Sequence, residues 1–252
     1  MTTAPRTFTP ARTAATARRV LLQLRHDPRT IALLLVVPCF LIALLSWIYD
    51  DSPQVFDRIG APLLGIFPFT VMFLVTSVAT LRERSSGTLE RLLSMPLGKL
   101  DLLLGYALAF GALAVLQAVI VTGLAVGLLG LDVAGSVWAL LLVAVLNAVL
   151  GTAIGLFTSA FARTEFQAVQ FLPAVILPQL LLCGLFVPRG QMQPVLDAIS
   201  DVLPLSYAVD AMIEVTARTG ISGAFTTDIA VIVGCILAAL ALGAATLRRR
   251  TP

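Results

Sequence analysis

Arg82-Glu-Arg-Ser-Ser-Gly-Thr-Leu-Glu-Arg-Leu-Leu-Ser-Met-Pro96 is a charged, helix-competent stretch held between two long apolar runs, Ala61–Leu81 and Leu102–Leu129. Each run reaches the ~20 residues a helix needs to cross a bilayer's hydrocarbon core. The chain therefore crosses, emerges with a hydrophilic segment, and crosses back. Working outward, Ile31–Tyr49, Val137–Phe161, Phe166–Val187 and Ile229–Leu247 are further runs of that kind, giving six in all. The 252 residues are 58% hydrophobic and 12% charged, about half the charge of an ordinary soluble domain. The runs are too continuous for the alternating strands of a membrane barrel. The fold class is an all-α integral membrane protein with six transmembrane helices.

Basic residues orient the bundle. Arg6, Arg12, Arg18, Arg19, Arg25 and Arg29 precede the first span; Arg82, Arg84, Arg91 and Lys99 follow the second; Arg163 lies between the fourth and fifth; Arg248, Arg249 and Arg250 close the chain. The other side carries Arg58, Arg189 and Arg218. Fourteen against three places both termini and the Arg82–Asp101 loop in the cytoplasm. The net charge of +3 reflects this topology, and no nucleic-acid partner is expected. The polar, basic start, with its first apolar run only near Ile31, reads as lacking a cleavable signal peptide. Lys99 is the only lysine beside sixteen arginines, a usage that points to a GC-rich bacterial genome.

The expected organisation is a cytoplasmic N-terminal segment (1–29), a six-span domain (30–247) and a basic tail (248–252). Residues 1–12 read as disordered. Over Ala14–His26, Ala17, Val20, Leu21 and Leu24 share one helical face opposite a basic one, as in a helix lying in the membrane interface. Trp47 and Tyr49 end the first span in an aromatic belt, and Gly130–Gly135 joins the third and fourth tightly. No internal repeat is visible, unlike inverted-repeat transporters. Pro188–Asp228 is too polar to span and too apolar for a plain loop. Within it Val195, Leu196, Ile199, Val202 and Leu203 share one face, opposite Asp197, Ser200 and Asp201, between Pro194 and Pro204. That pattern predicts a short amphipathic helix at the outer surface, dipping toward the membrane.

In the loop, Leu89, Leu92, Leu93 and Pro96 recur at i, i+3, i+4 and i+7, a narrow apolar stripe with Glu90, Arg91 and Ser94 around it. Gly87 opens the expected helix and Pro96 closes it. At about two and a half turns it is too short to stand alone. A groove on a soluble partner would bury its leucines.

Glu83-Arg-Ser-Ser-Gly-Thr-Leu-Glu-Arg-Leu-Leu-Ser-Met-Pro-Leu97 closely resembles the cytoplasmic loop of ABC-2 type permeases, membrane subunits of bacterial ATP-binding-cassette exporters that include the daunorubicin-resistance type. Cys183-Gly-Leu-Phe-Val-Pro188, followed by Leu203-Pro-Leu-Ser-Tyr-Ala-Val-Asp-Ala211, is similar to that family's outer re-entrant segment. The resemblance implies a bacterial inner-membrane location, pairing with a second permease subunit, identical or sister, and a coupling helix docked on an ABC ATPase subunit. Carried onto this chain, the coupling residues are Glu83, Arg84, Ser86, Gly87, Thr88, Leu89, Glu90, Arg91, Leu92, Leu93, Met95 and Pro96. Ser85-Ser86 departs from the more charged pair of many relatives. The outer gate or cap is Gly184, Phe186, Pro188, Pro204, Leu205 and Tyr207. ATP and magnesium belong on the partner ATPase, and no cofactor belongs on this chain.

Absences agree with that division of labour. No G-x-x-x-x-G-K-[ST] phosphate loop occurs, and the apolar runs contain no carboxylate or histidine relay of the kind that couples protons. The single His26 has no nearby Cys or second His, so no enzyme constellation forms. Cys39, Cys183 and Cys235 lie in apolar runs as small core residues. Among the polar residues within spans, Gln117, Asn147, Gln170 and Gln179 are the candidates for a substrate path, with Thr122 and Thr152 as helix-packing groups. Pro173 and Pro178 make the fifth span a bending element. The expected function is export of a hydrophobic or amphipathic substrate, such as a drug, polyketide or lipid. A non-transport scaffold recruiting a soluble protein and a secondary transporter are the alternatives.

Overall fold

The computed structural model describes residues 9–86 and 99–246. Among them every regular element is helical: α1 (Pro10–Arg25), α2 (Pro28–Ile48), α3 (Pro53–Ser85), α4 (Lys99–Gly127), α5 (Val137–Thr158), α6 (Glu165–Leu182), α7 (Pro194–Ser200), α8 (Pro204–Ala217) and α9 (Gly223–Thr246). Six of these, α2 to α6 and α9, are long and apolar enough to span a membrane. The multi-pass architecture is thus the expected one.

The helix ends differ from the hydropathy boundaries in informative ways. α3 starts at Pro53 rather than Ala61. Pro53 lacks the N–H that a first turn would leave unpaired, so the helix forms through Asp57 and Arg58 before the apolar run begins. At 33 residues and 1.5 Å per residue it is roughly 50 Å long, well beyond the hydrocarbon thickness. Its far end carries Arg82 and Arg84 in the last turn, where the helix dipole favours cations. α6 ends at Leu182 rather than Val187, because the chain turns at Gly184, whose φ is +92°. α9 begins six residues before Ile229, at Gly223, and α5 stops at Thr158, short of Phe161. α2 begins at Pro28, just before the expected domain boundary at residue 30.

The centre of the bundle is the α3–α5 pair, the most extensive helix contact. Gly151 and Gly155 of α5 face the α3 backbone. A Cβ on Gly155 would lie 2.6 Å from the Phe73 carbonyl oxygen, and one on Gly151 would meet the Phe69 carbonyl more closely still. This is the small-xxx-small arrangement that lets membrane helices approach backbone to backbone. α4, α8 and α9 pack around the pair, and Phe69, Phe73, Leu64, Leu140, Leu150, Leu205 and Met212 fill the core. α2 and α6 lie at the edge and bury few residues.

α1 is longer than the expected Ala14–His26; of the expected stripe Ala17, Val20 and Leu24 are buried and Leu21 is half-buried, and Thr13 and Thr16 extend the buried face. It rests mainly on α4, where Gly105 admits it: a Cβ there would lie 2.5 Å from the Thr16 side chain. Asp101, fully buried in the first turn of α4, accepts from the Thr9 amide at 2.8 Å and the Thr13 hydroxyl at 3.3 Å. It thus serves the N-terminus of α1 from another helix.

The segment between α6 and α9 holds two helices. The expected one, bracketed by Pro194 and Pro204, ends at Ser200; Pro204 starts α8 instead of only stopping its predecessor. The apolar face of α7 is turned outward: Val195, Ile199 and the following Val202 are exposed, whereas Ser200 is fully buried. α8 buries Leu205, Ala208, Val209, Ala211, Met212 and Val215 against the bundle. The Gly130–Gly135 turn is stitched to it by Gly135 N–H donating to the Val215 carbonyl at 2.9 Å.

Candidate functional site

Of the expected coupling residues, Glu83, Arg84 and Ser86 are described; Gly87, Thr88, Leu89, Glu90, Arg91, Leu92, Leu93, Met95 and Pro96 lie outside the described residues. Ser86 caps the end of α3, its amide donating to the Arg82 carbonyl at 3.0 Å. The residues just before it tie α3 to three other elements. Glu83 pairs with Arg19 of α1 at 3.1 Å, and Arg19 also donates to the Tyr106 hydroxyl of α4 at 2.9 Å. Arg84 donates to the Ser159 carbonyl beyond α5 at 2.9 Å. Arg82 grips Glu165 at the start of α6 with two bonds of 2.8 and 2.9 Å. The end of α3 that leads into residues 87–98 is therefore joined directly to α1, to the turn after α5 and to α6, and through Arg19 to α4. Sequence reading missed Arg19, Arg82 and Glu165 in this role, since partners 64 to 83 residues apart leave no local signal.

The residues expected to form the outer gate or cap lie around a cation, Arg189, that enters the sequence reading only through topology. Arg189 donates to Asp201, just after α7, and to Asp210 of α8. Its guanidinium lies 5.2 Å from the ring centroid of Tyr207, whose hydroxyl donates to the Asp201 carbonyl. Gly184 makes the turn that brings Arg189 there: the Arg189 stem and an Asp210 carboxylate oxygen lie 3.6 and 3.7 Å from its Cβ position. Burial pushes the Asp210 carboxyl above the ordinary carboxylate range against the pull of Arg189. Burial works against the arginine's charge too, yet Asp210 and Asp201 together hold its pKa above the usual value. The two directions agree physically: the cation has two anions, while Asp210 shares one cation. Pro204 is the first residue of α8, Leu205 is fully buried, and Phe186 and Pro188 are exposed. Ser200 closes the cluster, donating to the Leu182 carbonyl at 2.8 Å and lying 3.0 Å from the Ser206 hydroxyl.

The four polar path candidates do not converge. Gln117 is fully buried and donates to the Leu34 carbonyl of α2 at 2.6 Å, an interhelical tie. Asn147 is fully buried, its amide without a partner, beside Gly65 and Met212. Gln179 donates to the Val175 carbonyl one turn back at 3.0 Å. Gln170 lies on the exposed face of α6 with Pro173 and Pro178.

Beside the cluster at the end of α3 lies an open cavity of about 450 Å³, walled by α1, α2, α3, α4 and α6. Asp27, at its edge, accepts from the Thr30 amide and hydroxyl at 3.2 and 2.7 Å. These bonds hold its carboxyl below the ordinary range.

The family profile described as "ABC-2 type transporter" matches residues 12–216. The chain is 29% identical over 140 residues to the probable multidrug ABC transporter permease YbhS of Escherichia coli, covering 55% of this chain and 37% of that protein. It is 30% identical over 156 residues to the E. coli inner membrane transport permease YhhJ, covering 60% and 41%. It is 24% identical over 169 residues to ABC transporter G family member 20 of Dictyostelium discoideum, covering 67% and 23%. The matched stretch thus spans about two fifths of the length of the bacterial relatives. A family match reaching from α1 to α8, and taking in five of the six helices long and apolar enough to span a membrane, means that this chain belongs to the ABC-2 type transporter family of membrane permeases.

Proposed function

We propose that the chain is the membrane-spanning subunit of an ATP-driven exporter that moves a hydrophobic or amphipathic substrate, a drug, polyketide or lipid, out of a bacterial cell across its inner membrane. The observation that carries this reading is the end of α3. The segment 87–98, with its leucine stripe, follows a helix end that is tied by charged contacts to α1, to Ser159 just after α5 and to α6, with α1 tied in turn to α4. An ABC ATPase with bound ATP and magnesium would push there, and this chain's part is to convert the push into helix movement. The basic end of the bundle, with both termini, faces the cytoplasm on this reading. A second permease, identical or sister, would pack on the outward apolar residues of α2 and α6, such as Phe40, Phe166 and Leu181. The Arg189 cluster would cap the outer exit.

The test is affinity purification of the tagged chain from its native membranes in mild detergent. Recovery of a P-loop ATPase with wild type but not with Leu92→Asp supports the reading, because a buried leucine contributes about 1.5–3 kcal/mol and an unpaired carboxylate adds a desolvation penalty. A folded wild-type chain that emerges without an ATPase, or full recovery by the variant, refutes it.

A further inference from the structure

The cavity beside α3 has a composition that selects its ligand. One wall is apolar, made by Leu74, Val75 and Val78 of α3 and Phe110 of α4, with Leu33 of α2 and Val169 of α6 at its exposed rim. Its mouth carries three carboxylates, Asp27, Glu83 and Glu165, against one lining cation, Arg82. Arg82 is bound by Glu165, and Arg19 by Glu83. Among the described residues Asp27 has hydrogen bonds to Thr30 and no ion pair within 4 Å; Arg82, the cation whose field it feels, is already bound by Glu165, so the Asp27 charge is only partly offset. Tyr106 and Phe110 lie stacked along the wall with centroids 6.4 Å apart. The Tyr106 face already attracts one cation, with the Arg19 guanidinium 5.8 Å from the ring centroid; aromatic faces favour positive charge.

Depth fits as well. Leu74 and Arg82 are eight residues apart on one helix, roughly 12 Å along its axis. A ligand in the cavity places its apolar body among the spans and its head at the level of the interfacial α1. The volume of about 450 Å³ falls within the range of small-molecule sites, about 300–1,000 Å³.

We infer that this cavity, between α1, α2, α3, α4 and α6, binds an amphipathic organic cation, with its positive head at Asp27 and its apolar body against Val75, Val78 and Phe110. As a substrate inlet from the cytoplasmic leaflet the assignment rests on the exporter reading; the binding itself does not. An amphipathic anion meets excess negative charge at the mouth and is disfavoured.

The test uses two probes of one shape and opposite charge, tetraphenylphosphonium and tetraphenylborate. Saturable binding is measured on the purified full chain in detergent, with empty micelles subtracted. The phosphonium saturates the wild-type chain and the borate does not. Asp27→Asn weakens phosphonium binding about tenfold, the size of one screened ion pair, while Val78→Trp, which fills the apolar wall, abolishes it. Asn caps a helix as well as Asp, so the Asp27→Asn chain is expected to elute as wild type on gel filtration. Equal saturable binding of both probes, or wild-type phosphonium binding by a well-folded Asp27→Asn chain, overturns the assignment. ATP-driven uptake of the phosphonium into inverted vesicles containing the permease and its ATPase separates the two readings. Uptake with Asp27-independent binding removes the site and leaves the exporter; Asp27-dependent binding with no uptake leaves the site and removes the exporter.

Discussion

Arg189→Ala should release the outer segment from the bundle. The arginine side chain is 19% exposed, its partner Asp210 38% and Asp201 60%. Removing one partner of a fully buried pair costs roughly 3–5 kcal/mol, and of an exposed pair about 0.2–1. Solvent screening puts the Asp210 arm between these limits, near ~1.5 kcal/mol, and the Asp201 arm near ~0.5. The contact with the Tyr207 ring adds about 0.5–1. A loss of about 2.5–3 kcal/mol multiplies the open population of the segment by roughly 70 to 160. Hydrogen exchange in detergent reads this at the amides of Gly190 and Leu203, which bond to the Asp197 carboxylate and the Ser200 carbonyl. Arg189→Lys should behave more like the alanine variant than like wild type, because an ammonium lacks the planar fork that reaches two carboxylates. Asp210→Asn should be nearly neutral. Its folded pKa is raised by burial, so its contribution is fully present below the unfolded value near 4 and is lost as pH rises through the folded one. At pH 7 the charged carboxylate is therefore a cost that asparagine removes together with the attraction. Unchanged exchange in Arg189→Ala, or a lysine variant equal to wild type, would refute the two-carboxylate clamp.

Other outcomes follow from the same geometry. Gly155→Leu should lower the unfolding temperature in detergent sharply, because its Cβ must displace the Phe73 carbonyl at a cost of about 1–3 kcal/mol or more; Gly111→Ala, with open space around it, should be neutral or stabilise by up to ~1 kcal/mol. A double-mutant cycle on Arg19→Gln and Glu83→Gln should give a coupling of about 0.5–1.5 kcal/mol, read as protease resistance of α1, since the side chains are 28% and 16% exposed. Thr30→Val removes the strongest contact holding the Asp27 carboxyl low. The stability that this depressed pKa contributes above about pH 4 and loses as pH falls through the folded value should shrink in an acid titration of the variant.

What could be read from the sequence follows from the range of each signal. The six spans were visible because hydropathy acts over whole helices, and the α1 stripe because Ala17, Val20 and Leu24 repeat at helical spacing. α8 carried the same information in Leu205, Ala208, Val209, Met212 and Val215. It was passed over because Pro204 was taken as a terminator, although proline suits a first helical turn equally well. Gly151 and Gly155 likewise announce close helix packing and went unread. The clamp at Arg189 and the ties at Arg19, Arg82 and Asp101 are different in kind. They join residues that only the packed bundle makes neighbours, and any of the seventeen basic residues was an equal candidate beforehand.

The placement of α3 suggests how a push at one face reaches the other. Its end at Ser86 leads directly into residues 87–98, and its middle is fixed to α5 by backbone contact at Gly151 and Gly155. It also packs on α6 and α8, the elements flanking the Arg189 clamp. A helix so tightly packed against its neighbour cannot bend freely at that contact. On the proposed reading, a displacement at its basic end moves α3 and α5 together and is felt at α8, while the peripheral α2, with few buried residues, yields. On the proposed reading, the Arg82–Glu165 tie couples α6 to the stroke at one end and the Arg189–Asp210 clamp resists it at the other. Cutting the first should uncouple ATP hydrolysis from transport without opening the outer segment; cutting the second should open that segment without weakening ATPase recruitment. If both cuts gave the same phenotype, the rigid α3–α5 lever would be the wrong mechanical unit.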